Sequence, residues 1–257
     1  MNREQEIVAR SHAFREEYRE NTPGWYRGEM HLAFTLCFTV GAIVYCASQL
    51  ASTRWQEWVF VMMPMFLFGN WAEWAAHRYL LHSPKSILKS AYKRHVGTHH
   101  QFFSHKTLDY HGQRDWRALL FPPFAPVLFV FAALPLALVL AALWSVNAGY
   151  IAMISMAGYF LMYEGLHTLS HLEHPLLDRL PLVNTVRRMH VLHHNPDFMH
   201  TRNFNLTFPI CDALFGTSDL KSGVIATLFN GMSDAQRKEE DKRTLAAQQL
   251  ERSSSHQ

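Results

Sequence analysis

A run of 46 residues, from Ala118 to Tyr163, contains no Asp, Glu, Lys or Arg, and shorter charge-free runs occupy 30–53 and 58–72. A bilayer core about 30 Å thick takes roughly 20 apolar helical residues. The long run therefore suffices for two crossings, with Ser145-Val-Asn-Ala-Gly149 as the turn between them. The alternative is a soluble helical core, but an uncharged segment of this length is hard to bury in a chain of 257 residues. The pattern predicts an all-α integral membrane protein with spans at about 31–50, 57–77, 119–143 and 149–168, paired as two helical hairpins. Pro122, Pro123, Pro126 and Pro135 predict bends or a non-helical start to the third span. The polar first 20 residues do not look like a cleavable leader.

The basic residues set the orientation. Of 24 Lys and Arg, all but Arg54 fall in the arm before the first span, the segment 78–118 or the stretch after 168. That asymmetry places both termini on the cytoplasmic side. Trp55, Trp58, Trp116 and Trp144 lie near span ends, where indole rings favour the interface. The organisation expected is an N-terminal arm at 1–30, a membrane domain at 31–217 and a polar tail at 218–257, frayed at Ser253–Gln257. In the arm, Ile7, Phe14 and Tyr18 share one helical face, which suits a helix on the membrane, on a cytosolic cap or in solvent.

Composition excludes several classes. A formal charge of +3 is too small for a nucleic-acid groove. Cys37, Cys46 and Cys211 are too few for a disulfide framework and lack metal-site spacing. A mean hydropathy of −0.10 resembles that of a soluble protein and conceals the uncharged blocks.

Of the 17 His, 14 lie between 77 and 200, on or against the cytoplasmic side of this topology. Ten form four groups: His77/His82, His95/His99/His100, His167/His171 and His190/His193/His194. Spacings of three and four put 95/99, 167/171, 190/193 and 190/194 on shared helix faces, within reach of one metal. His82, five residues from His77 and just before Ser83-Pro84, needs an unwound or bent last turn to converge. A lone His is usually packed or solvated, but four spaced groups without low complexity point to metal. Ten imidazoles exceed the needs of one ion, and no Cys stands among them, so two ions are indicated and thiolate-type zinc is disfavoured. Glu73 lies four residues before His77, and Glu164 three before His167. Either carboxylate could ligate a metal or accept the free ring N–H of a ligand His.

At these residues the sequence resembles the fatty acid hydroxylase / sterol desaturase superfamily of membrane, histidine-rich di-iron enzymes. That pattern runs HX3–4H, HX2–3HH, a further His pair and HX2HH, and the four groups follow it in order. Asn203-Phe204 and Cys211-Asp-Ala-Leu-Phe-Gly-Thr217 resemble the family's closing motif, so the likeness runs from about Gly69 to Thr217. Three features depart from it: HX3HH in the second group, a short gap between His82 and His95, and Cys211 where a Trp is common.

The resemblance implies four spans and a cytosolic helical cap whose ten His hold two iron ions, with zinc able to stand in for them. It implies O2 as co-substrate and the hydroxylation of a membrane lipid. Desaturation is the close alternative, and electrons would come from a separate ferredoxin- or cytochrome b5-type protein. Phe102, Phe103, Phe121 and Phe160 are candidate walls of a substrate tunnel, and Asp212 either orients a ligand His or anchors the closing turn. His105, His111, His174 and His200 carry no assigned role. A His-lined metal transporter would need ligands near the bilayer midplane, and a bis-His haem would not use HH doublets. A bacterial inner membrane is favoured over the endoplasmic reticulum, since no dilysine stands near the C-terminus.

Overall fold

The computed structural model describes residues 2–85, 88–220 and 223–229, and among these it is all-helical, with one isolated bridge between Ser104 and Thr107. Most of the proposed C-terminal tail, including Ser253–Gln257, lies outside the described residues. Four long helices follow the uncharged blocks: α2 (Gly28–Ser48), α3 (Trp55–Ala76), α7 (Ala125–Leu143) and α8 (Val146–Ser170).

Three of them, α2, α7 and α8, are long and apolar enough to cross a membrane. The helix α3 is long enough but carries Glu57, Asn70 and Glu73. All three polar side chains have partners within the protein. The Arg54 N–H and the Ser145 hydroxyl donate to Glu57, while Asn70 and Glu73 bond α8 and the segment 205–211. The opposite face of α3 exposes Val59, Phe60, Met62, Met63, Leu67 and Phe68. The third span starts later than the sequence pattern predicts, at Ala125 rather than 119. Pro122 and Pro123 disfavour helical geometry at Phe121 and Pro122, and the chain is already extended at Leu120 (φ −68°, ψ 150°).

Small residues let the helices approach. Val61 and Met65 of α3 pack with Ala133 and Ala137 of α7 and with Ala148, Ile151, Ala152 and Met156 of α8. At Gly149 the α7 backbone comes so near that an added Cβ would lie 2.7 Å from the Ala137 carbonyl oxygen. Close helix contact through Gly and Ala is the usual solution where lipid removes the hydrophobic drive between helices.

The N-terminal helix α1 (Arg3–Glu20), capped by Asn2 and Gln5, docks onto the segment that follows the second His group. Phe14 and Tyr18 pack around Phe102, Phe103 and Leu119, while the buried Ser11 hydroxyl and Arg15 Nε donate to the Phe102 carbonyl at 3.0 and 2.7 Å. Of the three placements open to this helix, the protein surface is the one found. Two shorter helices, α4 (Lys89–Arg94) and α9 (Val183–His193), lead into or carry His groups, and α5 (His100–Phe102), α6 (Trp116–Leu119), α10 (Ile210–Leu214) and α11 (Val224–Leu228) are short turns.

Replacing Gly149 with Val should overpack this contact and destabilise the fold by about 1–3 kcal/mol. Gly158, with open space around its Cβ position, should accept Ala without loss. Thermal unfolding of the two variants in one detergent checks the difference.

Candidate metal centre

The His groups sit where helices end. The last turn of α3 widens into a π-turn over His77–Leu81, closed by the His82 N–H donating to the His77 carbonyl at 3.1 Å. A second π-turn covers His95–His99, with the His100 N–H bonded to the His95 carbonyl. A π-turn bonds residues five apart, so His77 with His82, and His95 with His100, point to one place. This is the bend that the five-residue spacing requires.

Two clusters result. The ligand nitrogens of His77, His82, His95, His100 and His193 all lie within 4.8 Å of one another, as do those of His99, His167, His171 and His190. The tenth, His194, has its Nε2 3.1 Å from that of His190 and its ring 4.2 Å from that of His100, between the clusters. The spacing rule holds for 167/171 and 190/194 but not for 95/99 or 190/193, whose members go to different clusters. In the first case the π-turn pairs His95 with His100 instead. In the second, residues three apart on α9 diverge enough to serve opposite sides.

The hydrogen bonds fix the chemistry of these rings. Nδ1–H donates to a backbone carbonyl in five of them: His77 to Phe204 (2.6 Å), His99 to Ala118 (3.1 Å), His171 to Leu108 (2.8 Å), His193 to Arg202 (2.8 Å) and His194 to Phe103 (2.5 Å). A carbonyl only accepts, so the proton is on Nδ1 and Nε2 presents a bare lone pair. The Nε2 of His82 lies 3.2, 3.0 and 2.9 Å from those of His77, His95 and His193. One N–H on His82 can satisfy one of these neighbours, and two of them offer lone pairs only. Lone pairs converging at about 3 Å repel unless a cation lies between them. The residues fit a metal on this ground, in both clusters.

Burial keeps the rings neutral. It pushes the pKa of His77 down to about 4 and of His99 down to about 3, and holds His95, His100, His171, His190, His193 and His194 well below the usual imidazole value. Neutral imidazole is the form that binds metal.

The nearby carboxylates act at one remove. Neither Glu73 nor Glu164 accepts a ring N–H of the ligand-spaced His beside it. The Thr207 N–H and hydroxyl donate to Glu73 at 3.1 and 2.6 Å, as do the Tyr159 hydroxyl and the Leu206 N–H. It thereby fixes the segment whose Phe204 carbonyl orients His77. The reason is register: one helical turn before His77, the Glu73 side chain meets the 206–207 backbone rather than the imidazole. Glu164 receives the Phe121 N–H at 2.9 Å, holding the non-helical start of α7. Asp212 is an anchor and not an orienter, accepting from Phe204 N–H (3.0 Å), Asn205 N–H (2.7 Å) and the Thr217 hydroxyl (2.6 Å).

The four Phe candidates divide. Phe103 lies against the rings of His99 and His171, with centroids 5.2 and 4.2 Å away. Phe102 instead packs under α1, against Tyr18 and the Arg15 guanidinium, because the chain turns there to meet that helix. Phe121 and Phe160 pack with Phe129 and Tyr163 near the cluster end of α7 and α8. Of the unassigned His, the exposed His200 lies beside His82 with ring centroids 5.4 Å apart. His174 accepts the Leu176 N–H, and His111 lines a surface cavity.

Several supporting residues escaped the sequence pattern. Asn70 Nδ2 donates to the Phe208 carbonyl and its Oδ1 accepts the Cys211 N–H. Asn203, at φ 56°, donates to the Met189 carbonyl on the ligand helix α9. His31, buried in α2, donates through Nε2 to the Phe121 carbonyl. Only the position of Asn70 inside a charge-free run of α3 could have marked it in advance.

Apolar helices ending at two buried, all-imidazole clusters define a membrane protein with a histidine-rich centre able to hold metal. The fatty acid hydroxylase family model matches residues 62–217, more than half of the chain and all ten of these His, and the chain belongs to that family. Members of the family typically depend on iron. No curated protein and no solved structure matches the chain.

Two outcomes follow for the centre. Replacing Glu73 with Gln removes a charged acceptor from four donors and should destabilise the protein by about 1–3 kcal/mol while lowering metal content, read by unfolding and metal analysis. For metal-stripped protein, unfolded imidazoles titrate near 6.5 and the native ones only lower. The unfolded state therefore binds more protons between these values, and stability falls with acidification through that window, by up to ~1.4 kcal/mol per pH unit for each such His. For His77 the fall continues to about pH 4. Unfolding midpoints measured from pH 7.5 to 4.5 would test the slope.

Proposed function

We propose that the protein is an O2-dependent di-iron hydroxylase of a membrane lipid, converting C–H to C–OH with electrons from a separate ferredoxin- or cytochrome b5-type donor. The observation that carries this reading is the pair of all-imidazole clusters inside the region of the family match. Iron bound there supplies, with O2, the oxidation of an unactivated C–H bond that protein acids and bases cannot perform; one oxygen atom enters the product and the other leaves as water.

The chain's own residues do the rest. His77, His82, His95, His100 and His193 would hold one ion, and His99, His167, His171, His190 and His194 the other. The five backbone carbonyls keep Nε2 directed inward, as outer partners of metal-binding His do elsewhere. Phe103 and Phe204 cover ring faces in the two clusters and exclude water from them. Four spans, α3 among them, with both termini and the clusters cytoplasmic, agree with the distribution of Lys and Arg. In that arrangement a lipid headgroup stays at the interface while its chain reaches the centre sideways, past Phe121 and Phe160.

The test is expression of the chain with iron, metal analysis after purification in detergent, and lipid profiling with and without O2. About two irons per chain and a hydroxylated lipid are expected. A new double bond would place the enzyme among the desaturases using the same site. One tightly held zinc with no lipid change would overturn the reading. Replacing His193 with Ala should abolish product and reduce bound iron, because its Nε2 faces His82 inside the first cluster.

A further inference from the structure

A cavity of about 560 Å³ opens between the end of α1, the start of α2 and the loop 111–115, lined among others by Arg19, Tyr26, Arg27, His111, Arg114 and Asp115. It has no part in the metal centre. Gly28, the first residue of α2, is buried so closely against the lining residue Gln113 that a Cβ would stand 2.5 Å from its carbonyl oxygen. The cavity therefore lies where the first apolar helix begins. Trp25 and Met30, 78% and 71% exposed, flank that point. An exposed indole at a span end suits the headgroup boundary of a bilayer.

The cavity has surplus positive charge. Arg19 is neutralised by Asp115 through two bonds of 2.7 Å. Arg27 and Arg114 have no acidic partner among the described residues, and each is held through Nη1 alone. Arg27 donates to the Gly24 and Tyr26 carbonyls at 2.7 and 3.2 Å, and Arg114 to the Arg19 carbonyl at 3.3 Å. These bonds engage Nη1 and leave Nε and Nη2 of each side chain uncommitted. A guanidinium edge with two such nitrogens matches two oxygens of a phosphate group.

We propose that this cavity binds the phosphate of a membrane phospholipid headgroup, held by Arg27 and Arg114. Inorganic phosphate has the same chemistry, but the position at the start of α2 and the exposed Trp25 and Met30 close by in sequence favour the lipid. The site stands on its own, so it can fail while the hydroxylase reading survives, and the reverse.

The test measures binding of a fluorescent phosphatidylglycerol to the full-length, metal-loaded protein in neutral detergent, with diacylglycerol and inorganic phosphate as competitors. The R27Q/R114Q variant should bind at least about tenfold more weakly, as expected for losing charge-assisted bonds, with metal content unchanged. R27K/R114K should recover part of the affinity. Diacylglycerol should not compete, and inorganic phosphate should compete only far above the lipid concentration. Equal binding by R27Q/R114Q, or equal competition by diacylglycerol, overturns the proposal. Competition by inorganic phosphate at the lipid's own concentration overturns the lipid assignment. Should R27Q/R114Q fail to fold, the wild-type protein decides: affinity should fall as salt is raised, and salt-independent binding overturns the proposal.

Discussion

Everything around the centre serves one constraint: imidazole lone pairs are aimed at each other in a buried space and must stay there. A neutral imidazole has one N–H and one lone pair, and the ring can turn over. What prevents this is a backbone carbonyl behind Nδ1, and the carbonyls come from distant parts of the chain: Phe103 and Leu108, Ala118, and Arg202 with Phe204. Each segment is itself held. Arg15 of α1 grips the Phe102 carbonyl one residue before Phe103, and Asp212 collects the Phe204 and Asn205 N–H groups. The N-terminal helix and the closing turn belong to the centre in this sense, although neither supplies a ring.

The two HH doublets have a geometric explanation. Successive residues on a helix point about 100° apart, so an adjacent pair lying between two clusters gives one ring to each. His100 and His193 enter the first cluster, while His99 and His194 meet the second. The π-turns do the complementary work, bringing residues five apart onto one side and ending α3 without a break in its backbone bonding. Doublets divide the ligands and π-turns collect them.

The helices, the ten rings and their grouping near helix ends were legible from charge-free blocks and His spacing, because both are properties of one helix at a time. The partition into clusters was not, since it depends on π-turns, and the sequence signals only that something must bend after His77. The partners of Glu73, Glu164 and Asp212 are not legible from sequence for a related reason. Sequence proximity suggests a partner on the same helix, whereas Glu73 bonds residues 206–207, more than 130 positions away. Phe102 likewise looked like a wall of the site and proved to be the floor under α1. The helix α3 is less apolar than the other long helices because it carries Glu57, Asn70 and Glu73, which have partners in distant segments that the sequence does not reveal.

The charge balance of the centre bears on its chemistry. Both clusters consist of imidazole alone; of the nearest acids on α3 and α8, Glu73 is engaged by four donors, while Glu164 accepts the Phe121 N–H through Oε1 and keeps a buried Oε2 without a hydrogen-bond partner. A cation bound there would keep its full charge in a region of low dielectric, where Coulomb forces are weakly screened. Carboxylate or thiolate ligands would offset that charge, and neutral imidazoles do not. Such a centre would favour added negative charge over an apolar chain. In the proposed reaction, the chain of a lipid would be held there by packing alone. Aromatic rings beside the second cluster, Phe103 against His99 and His171, and Tyr163 against His167, present the apolar surface that such a chain requires.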